Sequence, residues 1–115
     1  MPKFMISGSY TPEGLQGLHK EKASGRQVAV KELIASLGGK LDSIYYALGD
    51  TDVYVLCECP DAVNAAALSL AASATGLVRT KVTALMTVEE MDRALSMQPA
   101  YRAPGAAKAA KATKA

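Results

Sequence analysis

The chain is poor in the residues that most often bind metals or form cross-links. Of its 115 residues one is histidine, two are cysteine and none is tryptophan. A structural zinc site takes about four Cys or His ligands, so we expect no metal site. Cys57 and Cys59 stand two apart on a predicted strand, which places their side chains on the same side and about 6.6 Å apart, poorly placed for a disulfide. We predict two buried, reduced cysteines and no cofactor.

Long apolar runs are also missing. No stretch approaches the roughly 20 apolar residues that a membrane-spanning helix needs. The N-terminus becomes polar at Ser7, which is too early for a secretory signal. Together with the free cysteines, these features predict a cytoplasmic protein without a membrane partner.

The net charge of +2 is unevenly distributed along the chain. Residues 98–115 hold four basic residues and no acidic one, so residues 1–97 carry 9 basic and 11 acidic residues. A mildly acidic body is unlike a nucleic-acid-binding surface, and any such binding is expected to be weak and limited to the tail. The composition predicts one domain over 1–97, followed by a basic, Ala/Lys-rich mobile tail over 98–115.

Residues 39–60 predict the organising feature of the fold, a β-hairpin with a tight turn at Gly49-Asp50 that forms the middle of a sheet. The patterns around it predict further elements in order. A strand at 3–10 comes first, followed by a helix that begins at Thr11, has a stronger start at Ser24 and ends near Leu37. The hairpin strands at 40–48 and 52–59 come next. They are followed by a helix at 61–75, a strand at 77–86 and a short helix at 87–97.

This order predicts an α+β fold of the ferredoxin-like β-α-β-β-α-β type, with a four-stranded antiparallel sheet and a short C-terminal helix. Along residues 52–59, Val53 and Val55 alternate with Tyr54 and Leu56, so both faces of that strand are apolar. Two helices cover one face only, and the other would expose several hundred Å² of apolar surface. We expect a second copy to cover it, giving a homodimer, or a higher homo-oligomer, built as a dimeric α/β barrel.

Five short motifs stand out along the chain: Gly38-Gly39-Lys40, Tyr45-Tyr46, Gly49-x-x-Asp52, Pro60-Asp61 and Gly76-Leu77-Val78-Arg79-Thr80. Their order and spacing resemble those of the GYD domain, a small bacterial and archaeal family of dimeric α/β-barrel type. Residues 3–95 therefore resemble this family, although Thr51 replaces the tyrosine of its Gly-x-Tyr-Asp motif. The resemblance implies the fold. It leaves the activity open, because the family has none established and its wider superfamily spans monooxygenases, heme-degrading enzymes, isomerases and proteins with no known chemistry.

Two residues are candidates for acid–base catalysis. Histidine is the residue type suited to proton transfer near neutral pH, so His19, the only one in the chain, could act at a pocket mouth, or it could be a solvated helix residue. Asp52 could be a base, but an Asp beside a turn glycine commonly caps the turn.

Four further residues are candidates for ligand binding. Tyr45 and Tyr54 could hydrogen-bond a ligand, or they could pack in the core or an interface. Arg26 and Arg79 could bind a carboxylate or phosphate, or they could form surface ion pairs.

Two functions fit these observations. The first is a small-molecule-binding module, possibly an enzyme, that holds a small apolar ligand between sheet and helices. The alternative is a non-catalytic self-assembly module whose basic tail docks an acidic partner. A void of about 300 Å³ or more behind the sheet would favour the first function, and a filled core would favour the second.

Overall fold

The computed structural model describes residues 1–106. It forms two compact units, of which the first is Met1–Leu85 and the second begins at Met86. The first unit contains β1 (Lys3–Tyr10), α1 (Pro12–Ser36), β2 (Lys40–Tyr46), β3 (Val53–Glu58), α2 (Ala62–Ser73) and β4 (Val78–Leu85), and the second contains α3 (Val88–Ser96). The part of the basic tail expected to bind a partner falls mostly beyond residue 106, outside the described residues.

The four strands form one antiparallel sheet in the order β2-β3-β1-β4. The α+β class and the antiparallel sheet were predicted correctly, and the arrangement is consistent with a ferredoxin-like fold. The position of the hairpin was predicted wrongly, because β2 lies at the sheet edge. The N-terminal strand β1 pairs with both β3 and β4 and so takes a central place that local sequence patterns do not reveal.

The core lies on one face of the sheet, between the strands and both long helices. Val53 and Val55 of β3 are buried there with Ile34 of α1 and Leu68 of α2. Tyr54, which alternates with them, is only partly buried. The face of β3 that carries Val53, Val55 and Cys57 therefore packs beneath the helices.

Helix α2 packs by a different face from the predicted one. The predicted apolar face includes Val63 and Leu70, and both are exposed. Ala65 and Leu68 are the buried residues of this helix. With alanine at so many positions, several helix faces are equally apolar, so periodicity does not single out the packed one.

The hairpin also differs in detail from its prediction. A six-residue loop, 47–52, joins β2 to β3 in place of a tight two-residue turn. Within β2, a register shift between Leu41 and Ser43 marks a bulge at Asp42. The bulge turns Leu41 to the same side as Ile44, where both pack against the core, whereas strict alternation had put them on opposite faces.

Helix α1 begins as predicted, with Thr11 accepting a hydrogen bond from the N–H of Gly14 and Pro12 in first position. The predicted restart near Ser24 is present two residues earlier, because α1 is broken by a kink at Lys22, whose φ of 68° and ψ of 163° are far from helical values. The helix ends before Gly38, which adopts a φ of 76° that glycine tolerates without strain.

Helix α3 carries the capping box predicted at Thr87 and Glu90. The Thr87 hydroxyl accepts from the N–H of Glu90, and the Glu90 carboxylate accepts from the N–H of Thr87. These hydrogen bonds from Thr87 lower the pKa of Glu90. Among residues 1–106, no helix has both the length and the apolar character needed to cross a membrane.

Candidate functional site

A cavity of about 420 Å³ lies between the sheet and the two helices that cover it. Its floor is formed by side chains of the central strands, including Ile6, Val53 and Val55. Its walls come from both helices and include Val30 of α1 and Leu68 of α2. The lining is predominantly apolar, so the cavity suits an apolar molecule.

Gly8 lines the sheet side of this cavity and has no side chain to fill it. A Cβ atom at Gly8 would lie 3.1 Å from methyl groups of both Val53 and Val78. A larger residue here would need those valines to move and would intrude on the space that the cavity occupies. The glycine at this strand position therefore helps to keep the cavity open.

Three polar side chains lie together at one part of the cavity lining. They are Tyr10 at the end of β1 and Glu21 and Arg26 on α1. Within the described part of the chain, Glu21 and Arg26 are the charged residues of the lining. An apolar chamber with a few polar groups at one end is the usual form of a small-molecule site.

The Tyr10 hydroxyl is held in its neutral form. Burial raises its pKa above the ordinary value of 10.0, and hydrogen bonding with the neighbouring Tyr46 raises it further. The positive charge of Arg26, which lines the same cavity, lowers the pKa of Tyr10 in opposition to these effects. Tyr10 therefore offers the cavity a hydroxyl that keeps its proton and can donate it in a hydrogen bond.

Arg26 and Glu21 form an ion pair across the interruption of α1. The Nη1 atom of Arg26 lies 3.2 Å from Oε1 of Glu21, and their side chains are 37% and 40% exposed. The two residues are five apart in sequence, a spacing that a regular helix does not bring together. The interruption at Lys22 is what allows the pair to form over the cavity.

The structure brings together few of the residues predicted to form the site. Arg26 lines the cavity, as a ligand-binding residue would. The carboxylate of Asp52 accepts the backbone N–H of Tyr10 at 2.8 Å and so lies next to the cavity. His19 is exposed on α1 and does not belong to the cavity lining.

The other three predicted contacts do not line the cavity. Tyr45 and Tyr54 are paired with each other across β2 and β3, on the sheet face opposite the helices. Arg79 is exposed on the edge strand β4. The fold therefore does not form a single pocket from Tyr45, Tyr54, His19 and Asp52.

Sequence analysis did not single out Tyr10 or Glu21. Strand alternation placed Tyr10 on the same face as Phe4 and Ile6, and that was a usable signal. Nothing local indicated Glu21, because its approach to Arg26 depends on the non-helical backbone at Lys22.

Cys57 and Cys59 are free and buried, as predicted. Burial and the neighbouring Cys59 raise the pKa of Cys57 to about 12, so its thiol stays protonated at neutral pH. In residues 1–106, His, Cys, Asp and Glu side chains form no group of three or more that could hold a metal ion.

Comparison with protein families gives one result. A family model described as the GYD domain matches residues 4–95. No curated protein and no solved structure matches the chain.

Proposed function

This chain belongs to the GYD domain family, and we propose that it is a small-molecule-binding protein whose site is the cavity beneath α1 and α2. The ligand is a small, mostly apolar molecule. Its polar contacts are Tyr10 and Arg26, which replace the tyrosines expected from the sequence. No reaction is assigned to the site.

The volume of the cavity is the observation that carries this proposal. At about 420 Å³ it falls within the range of roughly 300–1,000 Å³ typical of ligand pockets. Well-packed cores leave few voids larger than a water molecule, so this volume exceeds ordinary packing defects. A filled core would instead have favoured a purely structural module.

A neutral fluorescent probe, N-phenyl-1-naphthylamine, tests the proposal because its emission rises in apolar surroundings. The test variant is Ala72→Leu, which adds volume at a lining position of α2. The control is Ala67→Leu, at an exposed position of the same helix outside the lining. We expect saturable binding by the wild type and the control and at least tenfold weaker binding by Ala72→Leu.

Two outcomes would contradict the proposal. One is the absence of saturable binding by the folded wild type. The other is equal weakening in both leucine variants, which would place the probe on the surface of α2 and outside the cavity.

We further propose that two copies pair through the sheet face opposite the helices, as a dimeric α/β barrel. Tyr45 on this face is 65% exposed, and Met5, Tyr54 and Leu56 beside it are only partly buried. These side chains occupy neighbouring strands and would form one apolar surface for a partner sheet. The proposed pairing leaves the cavity accessible, since the cavity lies on the other face.

Light scattering after size exclusion tests the dimer. We expect twice the chain mass of 12.0 kDa for the wild type at low micromolar concentration. Tyr45→Glu should give a monomer, because a carboxylate would be buried at the interface. Val28→Glu, at an exposed position of α1, should remain a dimer. A monomeric wild type would refute the pairing.

We also propose a cytoplasmic location, on the basis of the two free thiols. Fractionation of cells that express the full chain would test this. Recovery from a membrane or secreted fraction would contradict it.

A further inference from the structure

We propose that the cavity selects molecules with a carboxylate on an apolar body, and that this carboxylate binds Arg26 and Tyr10 in place of Glu21. This inference rests on the proposed function, since it names the chemical class of the ligand for the same cavity. It follows from the donors at the polar end of the cavity and from the weakness of the ion pair now present there.

The contact with Glu21 uses only one of the N–H groups of Arg26. A guanidinium carries five N–H donors in a planar fork. The contact with Glu21 is a single one, from Nη1 to Oε1 at 3.2 Å, and not the paired geometry of a strong arginine–carboxylate interaction. A ligand carboxylate could therefore meet the guanidinium with two parallel hydrogen bonds.

Tyr10 adds a neutral donor beside this cation. Its hydroxyl is half-buried at the same end of the cavity, close to the charge of Arg26. On binding, this hydroxyl would turn from Tyr46 and donate to one carboxylate oxygen held on Arg26. The carboxylate of nearby Asp52 would repel a bound anion. It already accepts the backbone N–H of Tyr10 at 2.8 Å, and this hydrogen bond partly offsets its negative charge.

The ion pair can be broken at little cost. Both side chains are more than one third exposed, and ion pairs exposed to this degree contribute little to stability. Glu21 lies on the N-terminal side of Lys22, in a half of α1 whose one buried residue is Gly14. Glu21 can therefore turn into water while the rest of the fold stays in place.

A carboxylate fits this end better than a phosphate. A phosphate carries up to two charges and three acceptor oxygens, and proteins usually meet it with several cations or a row of backbone N–H groups. Here Arg26 is the one cation among the described residues of a mostly apolar lining, which also includes the carboxylate of Glu21. The planar fork of a single arginine matches one carboxylate.

The experiment compares octanoate with octanamide, which share an apolar chain and differ in charge. Each competes with bound N-phenyl-1-naphthylamine at pH 7.5 in 20 mM salt. We expect the wild type to prefer octanoate by at least tenfold. Arg26→Gln should abolish that preference by weakening octanoate binding far more than octanamide binding, and Arg79→Gln, which alters an arginine outside the cavity, should retain it.

Glu21→Gln provides a second, independent measurement. Removing its charge ends the competition for Arg26, so octanoate should bind several-fold more tightly to this variant than to the wild type. Octanamide affinity should change by less than twofold. A merely structural role of Glu21 would shift both ligands together.

The outcomes separate this inference from the function on which it rests. If the probe binds but octanoate and octanamide displace it equally well, the carboxylate preference is wrong and the cavity still binds apolar molecules. If Arg26→Gln keeps the preference for octanoate, the assignment of Arg26 is wrong. If neither the probe nor either competitor binds the folded wild type, both proposals fail.

Discussion

The backbone N–H of Tyr10 donates to Oδ2 of Asp52 at 2.8 Å, which ties the end of β1 to the residue that precedes β3. The backbone of Asp52 makes two further hydrogen bonds, to the carbonyl of Gly8 and from the N–H of Ala47. Asp52 thus closes the loop over 47–52 and fixes Tyr10 at the cavity. These contacts give Asp52 a structural role, although its carboxylate accepts from β1 and not from the turn that it was expected to cap.

Replacing Asp52 should therefore lower stability. Asp52→Ala leaves a partly buried N–H without its charged acceptor, and we expect a loss of about 1.5–3 kcal/mol in the free energy of unfolding. Asp52→Asn keeps a side-chain carbonyl and should lose less. Urea unfolding measures both, and an unchanged midpoint for Asp52→Ala would contradict the role given to this hydrogen bond.

Two glycines of α1 should respond in opposite directions to alanine. A Cβ at Gly14 would lie 1.9 Å from the carbonyl oxygen of Leu77, whereas one at Gly17 has no neighbour within 4 Å. We expect Gly14→Ala to lower the free energy of unfolding by about 1–3 kcal/mol or more, because backbone must move. Gly17→Ala should raise it by about 0.4–1 kcal/mol. Thermal or urea unfolding of the two variants gives the comparison, and equal effects would show that α1 does not approach β4 so closely.

Lys22 occupies a backbone region that is essentially reserved for glycine. Its φ of 68° and ψ of 163° imply strain of about 1–3 kcal/mol. Lys22→Gly removes the strain and should leave stability unchanged or raise it by up to about 2 kcal/mol. Lys20→Gly, at an exposed and regular helical position, should cost about 1 kcal/mol. If both variants lose the same stability in urea unfolding, α1 continues through Lys22 as a regular helix.

The buried Cys57 thiol predicts a loss of stability at alkaline pH. Its pKa is about 12 in the folded chain against 9.0 for a free thiol, so below pH 9 both states are protonated and stability is unaffected. Between pH 9 and 12 the unfolded state ionises while the folded state does not. Stability should therefore fall as pH rises, by at most about 1.4 kcal/mol per pH unit for this one group.

The slope of unfolding free energy against pH, measured by urea titrations from pH 8 to 11, checks this prediction. Cys57→Ala should be less stable throughout but should show a shallower slope. The pKa values of Lys3 and Tyr10 are also raised, so these two groups should account for the pH dependence of stability that Cys57→Ala still shows. Val55→Ala truncates the same core without removing a titrating group and should keep the full slope. A wild-type slope retained in Cys57→Ala would mean that this thiol ionises freely.

Much of the fold followed from local sequence rules. Alternation placed Phe4, Ile6, Val53 and Val55 on one side of their strands, and all four are buried. Capping patterns located the starts of α1 and α3 at Thr11 and Thr87. These predictions succeeded because strand facing and helix capping depend on residues two to four positions apart.

The candidate site was less predictable. Arg26 was identified, but Tyr10 and Glu21 were not, and Tyr45, Tyr54 and Arg79 lie outside the cavity. The bulge at Asp42 and the irregular backbone at Lys22 each change which side chains share a surface. The bulge has no signal in composition or periodicity, whereas the capping pattern at Ser24 indicated a break in α1 close to Lys22 but not its backbone geometry.

The sequence by itself determined the element order and the family, because the alternation of residues and the spacing of caps, turns and motifs specify them. Only the tertiary structure decided that β1 lies at the centre, that α2 packs through Ala65 and Leu68, and that an open cavity remains beneath the helices. Those features depend on contacts between residues far apart in the chain, such as Gly14 with Leu77 and Tyr10 with Asp52, which no local pattern encodes.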